Sequence, residues 1–526
     1  MKSLSIFNHV LGPVMRGPSS SHTAGAFHIA SMARAMSGGI PRRAVIVFDP
    51  GGSYARTYSQ QGADRAFAMG FLGKPLTDES FFSALDDAPR AGLDLRFEVR
   101  PLAKADHPNS MEVEVEGPDG SPLLLEAKST GGGEVEITSV DGWPVSFSGA
   151  AYEILAEAAP GSVSAVISAL GADGALLGDL KIIRRSGRAA IIARRSAPGV
   201  RRILHALGPR AGEFRFRESA PVYYVQTGRP LFTSAEDAVK LAEDRPLSLG
   251  RLALEYESGL LGLNRSEVVG EMLRRYDIMS AAAERGLDPD FGGMQLLSAS
   301  AGSVFRAEAE RRLSTRGPHT RAAARALAVM HVNGAMGVVC AAPTGGAAGV
   351  LPGAMVTMAE ERRLSREQVG LSLLAAGAVG LITAQRATFA AEVAGCQVEI
   401  GAAGAMAAAA VVDAMGGTAR QAFDAAAVAF QNTMGSVCDL VQGMVEIPCH
   451  TRNAVAAANA FVCADLILGG YANPVPFDET VDAVYAVGRM LPSELRCTAK
   501  GGLAVTPSAL ALKPRGPARR RDVIPP

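Results

Sequence analysis

The 526-residue sequence predicts an α+β protein of several domains. Three observations carry this expectation. Up to about residue 146, short Val/Ile/Leu-rich runs alternate with helix-patterned segments. From 147 to about 230 the elements follow the order βαββαβ, the ferredoxin-like alternation. From 231 to about 515 nearly every segment has a helical pattern saturated with Gly and Ala. The length agrees, since a chain of this size divides into roughly two to four units.

Composition narrows the function classes. Lys+Arg and Asp+Glu both total 52, so the formal charge is +0 and nothing favours a nucleic-acid or anionic-membrane partner. The N-terminus has only a short apolar run and no small-residue cleavage pattern, so no signal peptide is read there. The longest apolar run, 369–383, falls short of the ~20 residues of a membrane-spanning helix. Six cysteines in so long a chain make no disulfide framework. A soluble, cytoplasmic, reduced protein is expected.

In chain order, strands are expected over 42–50 (RRAVIVFDP), 94–101 and 110–130, the last folded by a PDG turn, with helices over 22–36 and 62–73. Two Gly/Ser segments stand out in this first unit, 1–146. RGPSSSHT (16–23) directly precedes a helical pattern. It aims hydroxyls and free backbone N–H groups at one point, which suits a carboxylate or phosphate and equally suits an ordinary helix cap. STGGG (129–133) follows a strand and reads as an anion-binding nest or as a loose hairpin. The second unit, 147–230, carries Pro160 and Gly161 before its first helix and is expected to regulate or to dimerise. In the third, 231–515, helix starts carry capping boxes at Asn264/Glu267, Ser365/Gln368 and Thr418/Gln421. The basic, Pro-rich residues 516–526 are expected to be a disordered tail.

Three thiols, Cys396, Cys438 and Cys449, each lie beside a helix breaker or polar break in an apolar stretch. Their spacing fits no zinc-finger or CxxC pattern. They read either as small buried hydrophobes or as a soft-metal or iron–sulfur site.

The segments AGCQ (394–397), VCD (437–439) and EIPC followed by RNA (446–454) resemble the cysteine signatures of the iron–sulfur-dependent L-serine dehydratases, or L-serine ammonia-lyases. GPSSSHT, HPN (107–109) and SxGGG resemble the β-domain signatures of the same family, in family order. APTGGAAG (342–349) resembles its APTxGxxG loop, with Gly345 where the family has Asn or Ala. RCTAKGGLA (496–504) resembles RETxxGGLA, with Cys497 in place of Glu. The resemblance covers nearly the whole chain and implies a single-chain form: a β-domain, an ACT-like amino-acid-binding domain and an all-helical α-domain.

The resemblance also implies a chemistry. Cys396, Cys438 and Cys449 would hold a [4Fe-4S] cluster with one iron free of protein ligands, able to assist departure of the substrate hydroxyl as a Lewis acid. His22 and His107 would orient the substrate, with Ser20, Ser21, Ser53, Asn109, Ser129, Thr130, Gly131, Arg452 and Asn453 around it. Cys340, Cys463 and Cys497 are assigned to packing. His319, at a helix start, is a further candidate base. The implied reaction is β-elimination of water from L-serine to pyruvate and ammonia by a homodimer or higher homo-oligomer. Two departures bear on it. Gln61 stands where the family has a histidine that is a candidate base, and glutamine cannot act as one. The family's occasional C-terminal cysteine is missing, leaving the fourth iron to solvent, substrate or Cys497. Two alternatives stay open: elimination on another β-substituted acid, such as desulfidation of cysteine, or a degenerate amino-acid sensor.

Overall fold

A computed structural model describes residues 3–172, 174–185 and 187–515. The expected tail at 516–526 lies outside the described residues. After strand β1 (Val14–Arg16) comes a sheet built from β2 (Arg43–Phe48), β3 (Asp94–Val99), β4 (Ser110–Glu116), β5 (Pro122–Gly131), β6 (Glu134–Val140) and β7 (Trp143–Phe147). Its order is β3-β2-β4-β5-β6-β7, with β2 parallel to β3 and every other pair antiparallel. The uninterrupted apolar run Ala44 to Phe48 is wholly buried, as suits an interior strand. Helices Ala24–Met36 and Ala63–Leu72 pack against each other and share this sheet's core.

One difference from the sequence-based expectation has a physical cause. The run 145–158 reads as one strand but forms two. The buried carboxylate of Glu153 accepts the N–H groups of Ser148 (2.8 Å) and Gly149 (2.9 Å), turning the chain there and leaving β7 in the first sheet. A helix, Ala84–Arg90, also forms despite Pro89 near its end.

Strands β8 (Tyr152–Ala158), β9 (Lys181–Arg185), β10 (Arg188–Arg195) and β11 (Arg215–Ser219) make an antiparallel sheet of order β11-β8-β10-β9. Helices Val163–Gly171 and Val200–Leu207 complete the βαββαβ order. One face buries Ile154, Val166, Leu170, Ile191 and Ile203, while Leu155, Ala190 and Ile192 belong to the first sheet's core. Arg217 fixes the contact, donating to the Met36 carbonyl (3.1 Å) and pairing with Asp141 (3.3 Å).

From Ala235 onward the described chain is helical apart from β12 (Val338–Cys340). All three capping boxes form. The Ala-rich helix Ile400–Ala414 lies at the centre, against Arg366–Arg386, Ala419–Gln431 and Cys449–Leu468. Its small side chains let these neighbours approach closely. Helix Arg366–Arg386 and the stretch Cys396–Ala414 are long and apolar enough to cross a membrane, but each is mostly buried inside this chain's own core.

The N-terminal segment crosses into this helical body. Leu4, Ile6, Phe7, Val10 and Leu11 lie in its core. The buried Glu257 carboxylate accepts the Ser5 hydroxyl (2.5 Å) and the N–H groups of Ile6 and Phe7. Strand β1 then pairs antiparallel with β12, Met15 opposite Val339. The sheet and helical units therefore meet across a hydrogen-bonded, apolar seam, and the serine-rich loop emerges directly from it.

Candidate functional site

The helical body brings its thiols together at chain reversals. Cys396 opens a short 3-10 turn after Gly395, Cys438 lies in the loop before a turn at Val441–Gly443, and Cys449 opens helix Cys449–Leu468. All three are buried and free of disulfides. The ligating atoms of Cys396, Cys438 and Glu399 lie within 4.8 Å of one another. Cys449 is within electrostatic reach of Cys396 and Glu399. Cys497 comes alongside Cys438 from the last loop, its N–H donating to the Cys438 carbonyl at 2.9 Å.

The charge balance around this cluster is distinctive. Contact with Cys438, then burial, holds the Cys396 thiol well above its ordinary range. Burial, then the charge of Glu392, pushes the Glu399 carboxyl up to about 8. The balancing cation is Arg452, one turn into the helix that Cys449 opens. It donates to the Cys396 sulfur (3.6 Å) and the Val437 carbonyl (2.7 Å), and pairs with buried Asp439 at 3.0 Å. Asn453 acts as a clasp: its side chain bonds the Gly346 carbonyl (2.9 Å), the Gly349 N–H (3.1 Å) and the Cys449 carbonyl (2.8 Å). It ties the thiol helix to the 342–352 loop.

The serine-rich loop docks on that same loop. The Ser20 hydroxyl accepts the Gly345 N–H at 3.2 Å. A Cβ at residue 345 would come within 3.0 Å of the Pro18 carbonyl, so the tight approach explains the glycine here. The Ser21 carbonyl accepts the Tyr54 hydroxyl at 2.5 Å. His22 is buried against the Tyr54 ring, with Ser19 Oγ 3.2 Å from Nδ1 and Thr57 Oγ1 and Ser53 Oγ 3.0 and 3.3 Å from Nε2. Thr57 already donates its hydroxyl proton to the Ser53 carbonyl (2.6 Å), so its oxygen accepts from His22 and the ring carries its proton on Nε2. Burial lowers the His22 pKa to about 3, keeping the ring neutral.

His107 accepts the Asn109 N–H on Nδ1 (3.1 Å), and burial lowers its pKa while nearby Glu392 opposes the shift. The amide of Asn109 donates to the Ser129 carbonyl (3.3 Å) and to Glu392 (3.4 Å). Its Oδ1 is buried with no hydrogen-bond partner among the described residues. The Ser129 hydroxyl donates to the Glu134 carbonyl (3.3 Å). Thr130 follows, and at Gly131, φ +113°, the chain passes so close to Ala390 that a Cβ would lie 3.0 Å from its nitrogen.

Between these loops and the thiols lies a cavity of about 550 Å³. Ser53, Thr57, Glu392, Arg496 and Cys497 all line it, so one space touches the hydroxyls held by His22 and the edge of the thiol cluster. Of the residues expected from sequence, Ser53 and Cys497 line this cavity directly; His22, His107, Asn109, Ser129 and the other three thiols lie behind its wall, and Gln61, Asn453 and His319 are engaged in other contacts. Gln61 is buried and donates to the Gly443 carbonyl (3.1 Å), and its neighbour Gln60 reaches the cavity instead. Asn453 serves the helix clasp. His319 packs on Phe461 at the start of helix Pro318–Gly334.

Two residues outside the sequence expectation emerge. Glu392 accepts from the Asn109 amide (3.4 Å) and lines the cavity, and its charge acts on His107; its only signal in sequence is an acidic residue four positions before Cys396. Arg496 reaches the same cavity with Nε buried and without a partner among the described residues.

A family profile described as serine dehydratase alpha chain matches residues 214–504. A "Probable L-serine dehydratase, alpha chain" of Bacillus subtilis is 35% identical over 286 residues, spanning 54% of this chain and 94% of that protein. A protein of the same description from Latilactobacillus sakei is 45% identical over 188 residues, 36% of this chain and 90% of its own. The "L-serine dehydratase, alpha chain" of Peptoniphilus asaccharolyticus is 34% identical over 275 residues, 52% of this chain and 94% of its own. The profile match takes in Cys396, Cys438, Cys449 and Cys497 and leaves out the loops bearing His22 and His107.

Proposed function

Because the chain belongs to the serine dehydratase alpha-chain family, we propose that it is a lyase eliminating water from L-serine, yielding pyruvate and ammonia. The observation that carries this reading is a cavity lined on one side by Ser53 and Thr57, the hydroxyl partners of a neutral histidine, and on the other by Cys497, whose N–H donates to the carbonyl of Cys438 in the buried thiol group. Cys396, Cys438 and Cys449 fit a [4Fe-4S] cluster: they are sulfur donors, shielded from water and faced by one arginine. When bound, such a cluster supplies a Lewis-acidic iron that assists departure of the β-hydroxyl.

The chain's own residues do the rest. The Arg496 side chain, short of an acceptor, receives the substrate carboxylate. The unpartnered Asn109 Oδ1 receives the ammonium. His22 fixes the Ser53 and Thr57 hydroxyls on the cavity wall, with Ser20 and Ser21 holding its loop in register. The Cα proton passes to the Glu392–His107 pair, which faces the cavity through the carboxylate. Arg452 offsets thiolate charge, and Ser129, Thr130 and Gly131 close the wall behind Asn109.

In the same reading, 1–146 is a β-like domain, 147–230 an ACT-like regulatory or dimerising unit, and 231–515 the cluster-binding α-domain of a cytoplasmic homo-oligomer. The order β11-β8-β10-β9 with two helices supports the ACT-like assignment. The test is anaerobic reconstitution of the full chain with iron and sulfide, followed by L-serine. Ammonia and pyruvate in equal amounts are expected. Turnover of L-cysteine alone, releasing sulfide, would replace serine as substrate, and binding without turnover would mark a sensor.

A further inference from the structure

We propose that the cavity carries a second anion subsite, formed by Arg56 and Lys500, and takes β-hydroxy α-amino acids that bear a second carboxylate. The inference deepens the lyase reading and rests on it for the chemical step, while the subsite itself stands on the cavity wall.

That wall is unbalanced in charge. Three cationic residues line it, Arg56, Arg496 and Lys500, against one acid, Glu392. The acid is already engaged by the Asn109 amide at 3.4 Å. Arg496 spends one N–H on the Val393 carbonyl (3.2 Å) and keeps Nε buried without a partner. Arg56 and Lys500 have neither an ion pair nor a side-chain hydrogen bond among the described residues. L-Serine brings a single carboxylate, which Arg496 takes, and its ammonium gives the other two cations nothing to bind. A second carboxylate balances them. The imbalance is sharpened at Cys497, where a thiol stands in place of the Glu of the family signature.

Both cations are borne by segments that the fold holds in place. Arg56 lies in the short helix Tyr54–Thr57, between Ser53 and Thr57 of the same wall. The Ser53 N–H donates to the Pro108 carbonyl (2.8 Å) and the Tyr54 hydroxyl to the Ser21 carbonyl (2.5 Å), which fixes that helix. Lys500 follows a pinned loop. The Cys438 N–H donates to the Leu495 carbonyl (2.8 Å), the Cys497 N–H to the Cys438 carbonyl (2.9 Å), and the Thr498 hydroxyl to the Glu494 carbonyl (3.0 Å). Offsetting thiolate charge is a different task and falls to Arg452, which donates to Cys396 and pairs with Asp439. The volume of about 550 Å³ has room for an acid longer than serine.

On such a substrate the elimination is unchanged. The Cα–H bond breaks, its electron pair forms the Cα=Cβ bond, and the β-hydroxyl leaves with a proton as water. The enamine tautomerises to an imine, which water hydrolyses to a 2-oxo dicarboxylate and ammonia, with no net oxidation or reduction.

The test is titration calorimetry of the full chain, reconstituted anaerobically with iron and sulfide, at ~0.15 M salt. It compares L-aspartate with L-asparagine and L-glutamate with L-glutamine, pairs that differ in charge and not in length. At least one acid should bind about tenfold or more tightly than its amide. Replacing both cations (Arg56→Gln with Lys500→Gln) should bring that ratio below about threefold. The matching hydroxy acid, 3-hydroxyaspartate or 3-hydroxyglutamate, should be turned over with a kcat/KM above that of L-serine. A preference below tenfold in both pairs overturns this proposal, as does one that survives the double substitution at threefold or more. L-Serine turned over better than both hydroxy acids overturns it alone and leaves the lyase reading intact. Selective binding that depends on the two cations, with no turnover of any of these hydroxy acids, overturns the lyase reading and supports the anion subsite.

Discussion

The side-chain amide of Gln61 donates to the carbonyl of Gly443 at 3.1 Å, joining two segments separated by most of the chain. Gly443 lines the cavity, so this buried bond sets one of its walls. Gln61→Glu turns the donor into a carboxylate facing a carbonyl. The unfolding free energy should fall by about 1–3 kcal/mol, the cost of an unmet buried polar group, and KM for serine should rise. Gln61→His, which still offers a donor, should keep the wild-type thermal midpoint more closely.

Glu392 is expected to act in the chemical step. Replacing it with Gln keeps its size and its contact with the Asn109 amide. It should lower kcat by about 10²–10⁴-fold, the typical worth of a positioned proton acceptor, with little change in KM. Steady-state kinetics of the reconstituted variant separate the two parameters, and an unchanged kcat would place the proton acceptor elsewhere.

Arg496 should act in binding. Arg496→Gln removes the cation and leaves the backbone clamp on Cys438 in place. Loss of a charge-assisted hydrogen bond, worth ~1.5–3 kcal/mol, predicts a rise in KM of about 10- to 100-fold with kcat largely kept. A change in kcat alone would contradict a carboxylate-anchoring role.

Buried histidines predict the pH dependence of stability. Burial lowers the His22 pKa to about 3, and burial likewise brings His28 to about 4 against the carbonyl bond to Gly133 that raises it. Unfolded histidine titrates near ~6.5. Their stabilising contribution is therefore complete above pH ~6.5. It is lost as pH falls toward their folded values, because only the unfolded chain takes up the protons. Each contributes a slope of about 1.4 kcal/mol per pH unit in that window. Urea midpoints between pH 7 and 4 should show this slope, and His28→Gln should flatten it.

Local signals are the readable part of this chain. The capping boxes at Asn264, Ser365 and Thr418 each depend on residues three apart, and all three form. The thiols are legible because their flanking Gly, Pro and polar residues break apolar helices. Features made by distant partners are not. Strands β1 and β12 pair across more than half the chain, and nothing local in VMR or VVC announces it. Residues 4–11 resemble any short amphipathic start, yet their burial depends on Glu257. The parallel bridge between Cys438 and Arg496 closes through a distant loop, so nothing local announces it. Glu392 carries no motif of its own, and its role depends on the fold bringing His107 and Asn109 beside it.

Iron, sulfide and turnover, measured together on anaerobically reconstituted wild type and on Cys438→Ser, bear most directly on the cluster-dependent elimination. The wild type should bind about four iron and four sulfide per chain, show broad visible absorption and convert L-serine to pyruvate and ammonia. Cys438→Ser should lose absorption and turnover together, while Cys463→Ser keeps both. Wild-type protein that binds no iron, or a Cys438→Ser variant with unchanged absorption and turnover, would contradict it.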